Sequence, residues 1–340
     1  MPIRLANYLK ENHYRVAVHC VKKNGDEKIE SLLDPDIPVY YTDRYWKLAA
    51  ILIGHNYKYI HSHCIASQML FARTRKRISM LQTKHMATLH GGYEGIEREK
   101  AIRLIKENDP YVTCWTYVAD NNLPILQDAG VPAGKITKIG NAMVRPDFIQ
   151  KVDMSIYGIP AHAYVFTVVT RAVSKKCWKE CIETIQEARK ITGKEIHLVL
   201  CGTGPLYDEI KKQPIDSYIH LVGEINNPCD YYAASYCGLL LSVRECEPLG
   251  LIEMYYAGKP VIATDTGEIA QMISGDGKDA GILVSLTENG MVSVKNSAEA
   301  VSRMVNDPKL YAACAEAAAR KANQYQMETV VKRYLECLAN

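Results

Sequence analysis

The stretch CGLLLSVRECEPLGLIEMYYAGKPVIATDTGEI, residues 237–269, decides the fold. It opens on a wholly apolar run, which suits a strand buried on both faces, and such strands belong to parallel sheets covered by crossover helices. A polar cluster from Ser242 to Glu253 follows and runs into a helix that ends at Ala257-Gly258. Gly258 fits the position just past a helix end, and Lys259-Pro260 starts the next apolar strand, Val261–Ala263. Strand, polar loop, helix and strand in this order make one βα unit.

Working outward, the same rhythm covers most of the chain. Short β-branched runs at Val16–Val21, Ile37–Tyr41, Tyr59–Ile60, Met86–Leu89, Val112–Val118 and Ile136–Ile139 alternate with amphipathic stretches such as Ile3–Glu11 and Ile96–Glu107. After Pro146 the series restarts with Tyr164–Val169, Ile196–Cys201, Tyr218–Val222, Gly238–Val243, Val261–Ala263 and Ile282–Val284. The irregular segment from Gly140 to Pro160 reads as the joint, and Met327–Leu338 is a helical pattern with no following strand. The expectation is an α/β protein of two tandem Rossmann-like βα domains. They span residues 1–150 and 151–325, with a helix over 326–340 that packs back on the first. Ligands in such sheets bind beyond the carboxyl ends of the strands, so a cleft between two such ends is the default site.

Composition agrees and narrows the classes. A chain of 340 residues has room for two domains, and 48% apolar with 23% charged residues excludes a disordered or fibrous chain. No apolar run approaches the roughly 18 residues of a spanning helix. The opening MPIRLANYLKENHYRV is charged where a secretory leader needs an apolar core. Eleven singly scattered cysteines suit reduced thiols and a cytoplasmic setting. The net charge of +3 is concentrated in the first domain at Arg73, Arg75, Lys76 and Arg77. That run is either a solvated helix face or a patch drawn to anionic lipid at the inner face of a membrane. No stacking aromatics interleave with it, which speaks against nucleic acid.

Four features carry chemistry. In the first, Pro248 and Gly250 leave free N–H groups at a helix's positive end beside Glu245, Glu247 and Glu253, an anion site ringed by carboxylates, although the acids could simply cap the helix. In the second, Arg171 and Lys176 follow the strand AYVFTVV and could clamp a diphosphate, or could be ordinary surface cations. In the third, Gly202 within CGTGP lets backbone approach a ligand closely, or makes a tight turn. In the fourth, His90 at a strand end before Gly91-Gly92 could serve as hydrogen-bond donor or acid/base, or as a core histidine. His61-Ser-His-Cys64 has metal-ligand character, but no second ligand pair matches it, so no metal site is expected. Cys177 and Cys181 are spaced for a helix and are no redox pair.

These residues together resemble the family 4 retaining glycosyltransferases. Glu245 and Glu253 stand in that family's Glu-x7-Glu spacing, within its pattern E-C-x-P-L-x-x-x-E-x-x-x-x-G-x-P-V-I-A-T-D-x-G. The Arg171–Lys176 loop resembles G-R-x-x-x-x-K-G, CGTGP the G-x-G-P turn, His90-Gly91 the H-G of the first domain, and IGNAM the N-G at the joint. The resemblance implies a GT-B architecture and a metal-independent retaining transfer of sugar from a nucleoside-diphosphate sugar, UDP favoured over GDP, to a glycan or lipid-linked acceptor. No cofactor is implied. Arg171, Lys176, Gly202, Leu249, Gly250 and Glu253 would bind the donor, and Glu245 and His90 would be catalytic.

The sequence departs from the family at Thr170 and Cys177, where glycines are usual. It also starts at what resembles the helix after the family's opening strand and Gly-rich loop, so a first domain without that strand is expected. A GT-B binding or partner subunit impaired in catalysis, or a sugar-nucleotide epimerase, are the alternative readings.

Overall fold

The computed structural model describes residues 1–22, 30–91, 96–275 and 277–339. The chain divides into two compact units, one of Met1–Val144 with Gln326–Asn340, the other of Arg145–Tyr325.

The first unit begins with a helix, Pro2–Glu11, whose proline sits in the first turn, where its missing N–H costs nothing. Strands β1 (Val18–Cys20) and β2 (Val39–Tyr41) form a parallel pair. Strands β3 (Tyr59–Ser62), β4 (Lys84–Leu89), β5 (Cys114–Tyr117) and β6 (Ile136–Lys138) form a parallel sheet in that order. β4 and β5 are its apolar centre, and Trp115 of β5 is fully buried with its indole N–H donating to the Asp109 carboxylate at 2.9 Å.

The C-terminal helix, Met327–Ala339, belongs to this unit. Met327, Val330, Val331, Tyr334 and Leu338 repeat at helical spacing and are buried together with Leu5, Met86 and Ile139. Each such side chain contributes about 1.5–3 kcal/mol, ample to hold a single helix. Polar ties finish the joint: Lys84 Nζ donates to the Leu338 carbonyl at 2.7 Å and Arg333 to the Lys138 carbonyl at 2.6 Å. The Lys84 bond satisfies one of the orphan carbonyls of a helix end.

The second unit holds β7 (Tyr164–Val169), β8 (Ile196–Cys201), β9 (Ile219–Gly223), β10 (Cys237–Leu240), β11 (Val261–Thr264) and β12 (Gly281–Val284). They pair in the order β12-β11-β10-β7-β8-β9, all parallel. The chain therefore winds one way from β7 to β9 and the other way from β10 to β12. The order reverses between β7 and β10, and the loops leaving those two strands part to either side at the switch point where ligands bind.

β10 stops at Leu240, short of the expected Val243, because a side chain takes over the ladder. Thr264 Oγ1 accepts the Ser242 N–H at 3.1 Å and donates to the Ser242 carbonyl at 2.5 Å. All eleven cysteines are free thiols, most of them buried. No helix among the described residues is long and apolar enough to cross a membrane.

Candidate active site

The loop after β7 carries Arg171 and Lys176. It is held from beneath: Thr170 N–H donates to the Cys201 carbonyl at 3.1 Å, and Ala172 N–H to the Thr203 carbonyl at 2.9 Å. Thr170, where the resembled family often has glycine, accepts the Trp178 indole N–H on its hydroxyl at 2.9 Å. Trp178 is fully buried at the head of the helix Trp178–Thr192, so the loop is pinned to the core. Cys177 shows why glycine is usual after the lysine. It precedes the helix in the left-handed region, at φ 52° and ψ 45°, a conformation that costs a side-chain-bearing residue about 1–2 kcal/mol. Cys177 is thus outside the helix that carries Cys181, and its buried thiol is pushed up to about 11 by burial.

Gly202, after β8, has φ 137°, and an added Cβ would lie 1.9 Å from the Thr170 carbonyl oxygen. The two loops touch backbone to backbone, which only glycine permits. The loop after β10 is braced in the same way. Gly267 has φ 61°, a Cβ there would meet the Glu245 and Cys246 carbonyls at 2.4 and 2.5 Å, and Glu268 N–H donates to the Cys246 carbonyl at 2.7 Å.

These braces bring Lys176 and Glu245 together. Lys176 Nζ donates to Glu245 Oε1, and both side chains are largely buried. The main chains are tied as well, Val243 N–H donating to the Lys175 carbonyl at 3.2 Å. Pro248 precedes the helix Leu249–Tyr256 as its N-cap residue, which has no side-chain group to cap it. The helix's first N–H groups, those of Leu249 and Gly250, have no partners within the helix and stand at its positive end. A Cβ on Gly250 would lie 3.8 Å from the Val169 carbonyl and 3.6 Å from the Tyr232 hydroxyl, which places this helix end directly beside the end of β7. Glu253 is on the same helix and is 5% exposed. Arg171 is exposed to solvent on its loop.

Tyr232, Trp178 and Gly267 were not singled out from the sequence. Each acts through tertiary contact, and only the glycine in TDTGEI carried a local signal.

His90 belongs to the first unit and is described there by itself. It follows β4, while His61 lies in β3 and His63 just beyond it. His63 Nδ1 and His90 Nε2 are 2.8 Å apart, and the His61 and His63 rings lie 3.9 Å between centroids. Beneath them His61 Nε2 is 2.6 Å from Thr88 Oγ1, which is 2.5 Å from Thr116 Oγ1. Burial lowers the imidazoles: His61 to about 3, His90 to about 4, and His63 well below its ordinary value. Gly92–Gly95, after the His90-Gly91 pair, lie outside the described residues. No group of three or more histidine, cysteine or acidic side chains among the described residues is placed to hold a metal.

A doubly wound parallel sheet with basic residues, glycines and a helix N-terminus gathered at its switch point defines a Rossmann-like unit. The chain belongs to the glycosyl transferases group 1 family, whose model matches residues 150–321. The lipopolysaccharide core biosynthesis mannosyltransferase LpsB of Rhizobium meliloti (strain 1021) is 28% identical over 137 residues, and the match spans 37% of this chain and 37% of that protein's length. Among solved structures, Anabaena Alr3699/HepE in complex with UDP superposes with a TM-score of 0.80 at 16% identity, over 99% of this chain and 94% of that one. Sucrose-phosphate synthase (tll1590) from Thermosynechococcus elongatus does so at 0.77 and 16% identity, over 98% and 90%. The fold is that of the GT-B glycosyltransferases.

Proposed function

We propose that the protein is a retaining glycosyltransferase that moves a sugar from a nucleoside-diphosphate sugar, UDP-linked in preference to GDP-linked, to a glycan or lipid-linked acceptor. The observation that carries this reading is the gathering of Lys176, Glu245, Gly202 and the Leu249–Gly250 helix end around the end of β7. The departing nucleoside diphosphate gains negative charge as the glycosidic bond breaks. Arg171, Lys176 and the helix N-terminus stabilise that charge, the role a divalent cation plays elsewhere. Lys176 is matched in the free protein by Glu245, so the lysine is held in place, and Glu245 is set beside the diphosphate site to orient the transferred sugar. Glu253 holds the ribose hydroxyls, and His90 serves the sugar's reacting side. The UDP-bound relative of the same fold supports the choice of base.

Turnover of a panel of nucleotide sugars in EDTA, with the product's anomeric configuration read by NMR, tests the reading. Transfer from a UDP-sugar with the donor's configuration kept is the expected result. Inversion, or a strict requirement for added metal, contradicts it. Release of an epimerised donor without any acceptor would favour the epimerase instead.

The basic run lies on the helix Ile65–Arg77, and Arg73, Lys76 and Arg77 are exposed there. Arg75 is half-buried and donates to the Ser79 carbonyl at 3.2 Å. The Arg77 guanidinium lies over the Tyr45 ring at 5.0 Å, and Trp46, next to Tyr45 in sequence, and Met80, three residues past the run, are exposed at 55% and 76%. Peripheral contact with anionic lipid follows, each cation adding about 1 kcal/mol near such a surface. Co-sedimentation with anionic vesicles that weakens between low and 0.5 M salt is expected, and absence of salt-sensitive binding contradicts it.

A further inference from the structure

The first unit holds two parallel sheets that no backbone ladder joins. β1 pairs with β2 and β3 pairs with β4, but among the described residues nothing links the pair to the four-stranded sheet. The same helices nevertheless cover both. On one face, Ile3 and Ala6 of the helix Pro2–Glu11 pack with Val18 of β1 and Val39 of β2, while Leu5 of that helix packs with Met86 of β4. On the other face, Val21, just past β1, and Ile60 of β3 pack against one cluster built from the helices Tyr45–Gly54 and Ile65–Arg77. The Arg15 guanidinium, shortly before β1, lies over the ring of Tyr57, shortly before β3, at 5.1 Å. The two sheets are therefore halves of one layer, and β1 and β3 are their inner edges.

The backbone shows which groups those edges present. A strand turns the N–H and C=O of successive residues to alternate sides. Val18 N–H donates to the Pro38 carbonyl at 2.9 Å, and the Cys20 carbonyl accepts the Thr42 N–H at 3.1 Å. Val18 and Cys20 thus face β2, and His19 faces the inner edge. Lys84 N–H donates to the Lys58 carbonyl at 2.9 Å, so Ile60 and Ser62 face β4 while Tyr59 and His61 face the inner edge. Burial agrees. β4 and β5 are buried almost throughout, whereas β1 is half-buried along its length and Tyr59 is 47% exposed.

We propose that β1 and β3 bind a peptide partner between them as one further parallel strand: an extended segment of four consecutive apolar residues, the length of β3. Its chemistry follows from its place. Helices lie on both faces of the layer, so the segment has no solvent side, and a continuous apolar run fits where an alternating one does not. The N–H and C=O groups of His19 on one side, and of Tyr59 and His61 on the other, bond to its main chain and supply affinity by strand addition. Its direction follows as well. The chain crosses from β2 to β3 through the helix Tyr45–Gly54, the connection that parallel strands require. His63 and His90 come just past the ends of β3 and β4, so the carboxyl end of the added strand emerges beside His63.

Amide exchange by NMR on the full chain tests this, with a peptide of sequence Val-Ile-Val-Ile flanked by lysines as the probe. In the protein alone, Ile60 and Ser62 should exchange slowly, and His19, Tyr59 and His61 fast. Added peptide should slow those three amides by about a hundredfold and raise Tm by about 3 °C or more. The same peptide with a central proline, which removes an N–H, should do neither. A second form joins the apolar segment ahead of Met1 through a Gly/Ser linker, which raises its effective concentration to about millimolar and removes weak affinity as a reason for failure. Protection of His19, Tyr59 and His61 by either form supports the proposal. Protection of these amides in the protein alone, or no change with both forms, overturns it. Neither readout depends on turnover, so the outcome is separate from that of the functional reading.

Discussion

Gly202→Ala should cost about 3 kcal/mol or more and abolish nucleotide binding. A Cβ at this position would stand 1.9 Å from the Thr170 carbonyl oxygen, and φ 137° is a region that side-chain-bearing residues rarely enter. Neither partner can give way. Thr170 is tied by its N–H to Cys201 and by its hydroxyl to Trp178, and Gly202 N–H donates to the Gly223 carbonyl at 2.6 Å. The strain must then open the loop that carries Arg171 and Lys176. For a unit of this size a loss of 3 kcal/mol lowers Tm by roughly 6–12 °C. Gly54→Ala is the internal control. That glycine ends a helix in the first unit with nothing within 4 Å of an added Cβ, so a gain of up to about 1 kcal/mol is expected there. Differential scanning calorimetry of both variants separates the cases, and a Gly202→Ala protein with wild-type Tm would contradict the backbone contact.

The second large effect is acid instability of the first unit. His61, His85 and His90 are held neutral by burial, at about 3, 3 and 4 against an ordinary value of 6.5. His85 is fully buried, its Nε2 2.9 Å from the Ser62 hydroxyl. Because the folded values lie below the unfolded one, the unfolded chain binds more protons between pH 6.5 and about 4. Stability is therefore full above pH 6.5 and falls as the pH drops through that window. Three histidines at about 1.4 kcal/mol per pH unit each give a slope of up to about 4 kcal/mol per unit. That is enough to unfold a domain of ordinary stability near pH 5. Urea unfolding followed by circular dichroism should show a much lower midpoint at pH 5.5 than at 7.5, and equal midpoints would show that these rings take up protons in the folded state.

The second unit was the more legible in sequence for a physical reason. Its strands are buried on both faces and read as continuous apolar runs, so β7 and β8 match the expected residues at both ends. Arg171, Lys176 and Gly202 sit in loops at those strand ends, and Gly250 in the first turn of the helix after β10, where the topology brings them together. β10 was overestimated because a threonine hydroxyl replaced the ladder at Ser242. In the first unit the partner of His90 was hidden. His63 is 27 residues away and meets it only because β3 and β4 are parallel neighbours, with Ser62 beside Ala87. From spacing alone, His61 and His63 resembled metal ligands. In the folded chain one is hydrogen-bonded to Thr88 and the other to His90. The Lys176–Glu245 pair was hidden for the same reason, since two residues assigned separate duties from local motifs turn out to touch across 69 positions.

Calorimetric titration of UDP into the wild type and into Arg171→Ala/Lys176→Ala tests the central claim most directly. Two charge-assisted hydrogen bonds at about 1.5–3 kcal/mol each set the expected loss at about a hundredfold or more. Adding Glu245→Gln to the double variant removes the carboxylate left without its lysine, so a fall in affinity that persists there belongs to the diphosphate contacts and not to a strained loop. The account predicts UDP binding in the wild type and its loss in both variants with the fold retained. Equal affinity in all three proteins, or no binding of UDP or any other nucleoside diphosphate to the wild type, would contradict it.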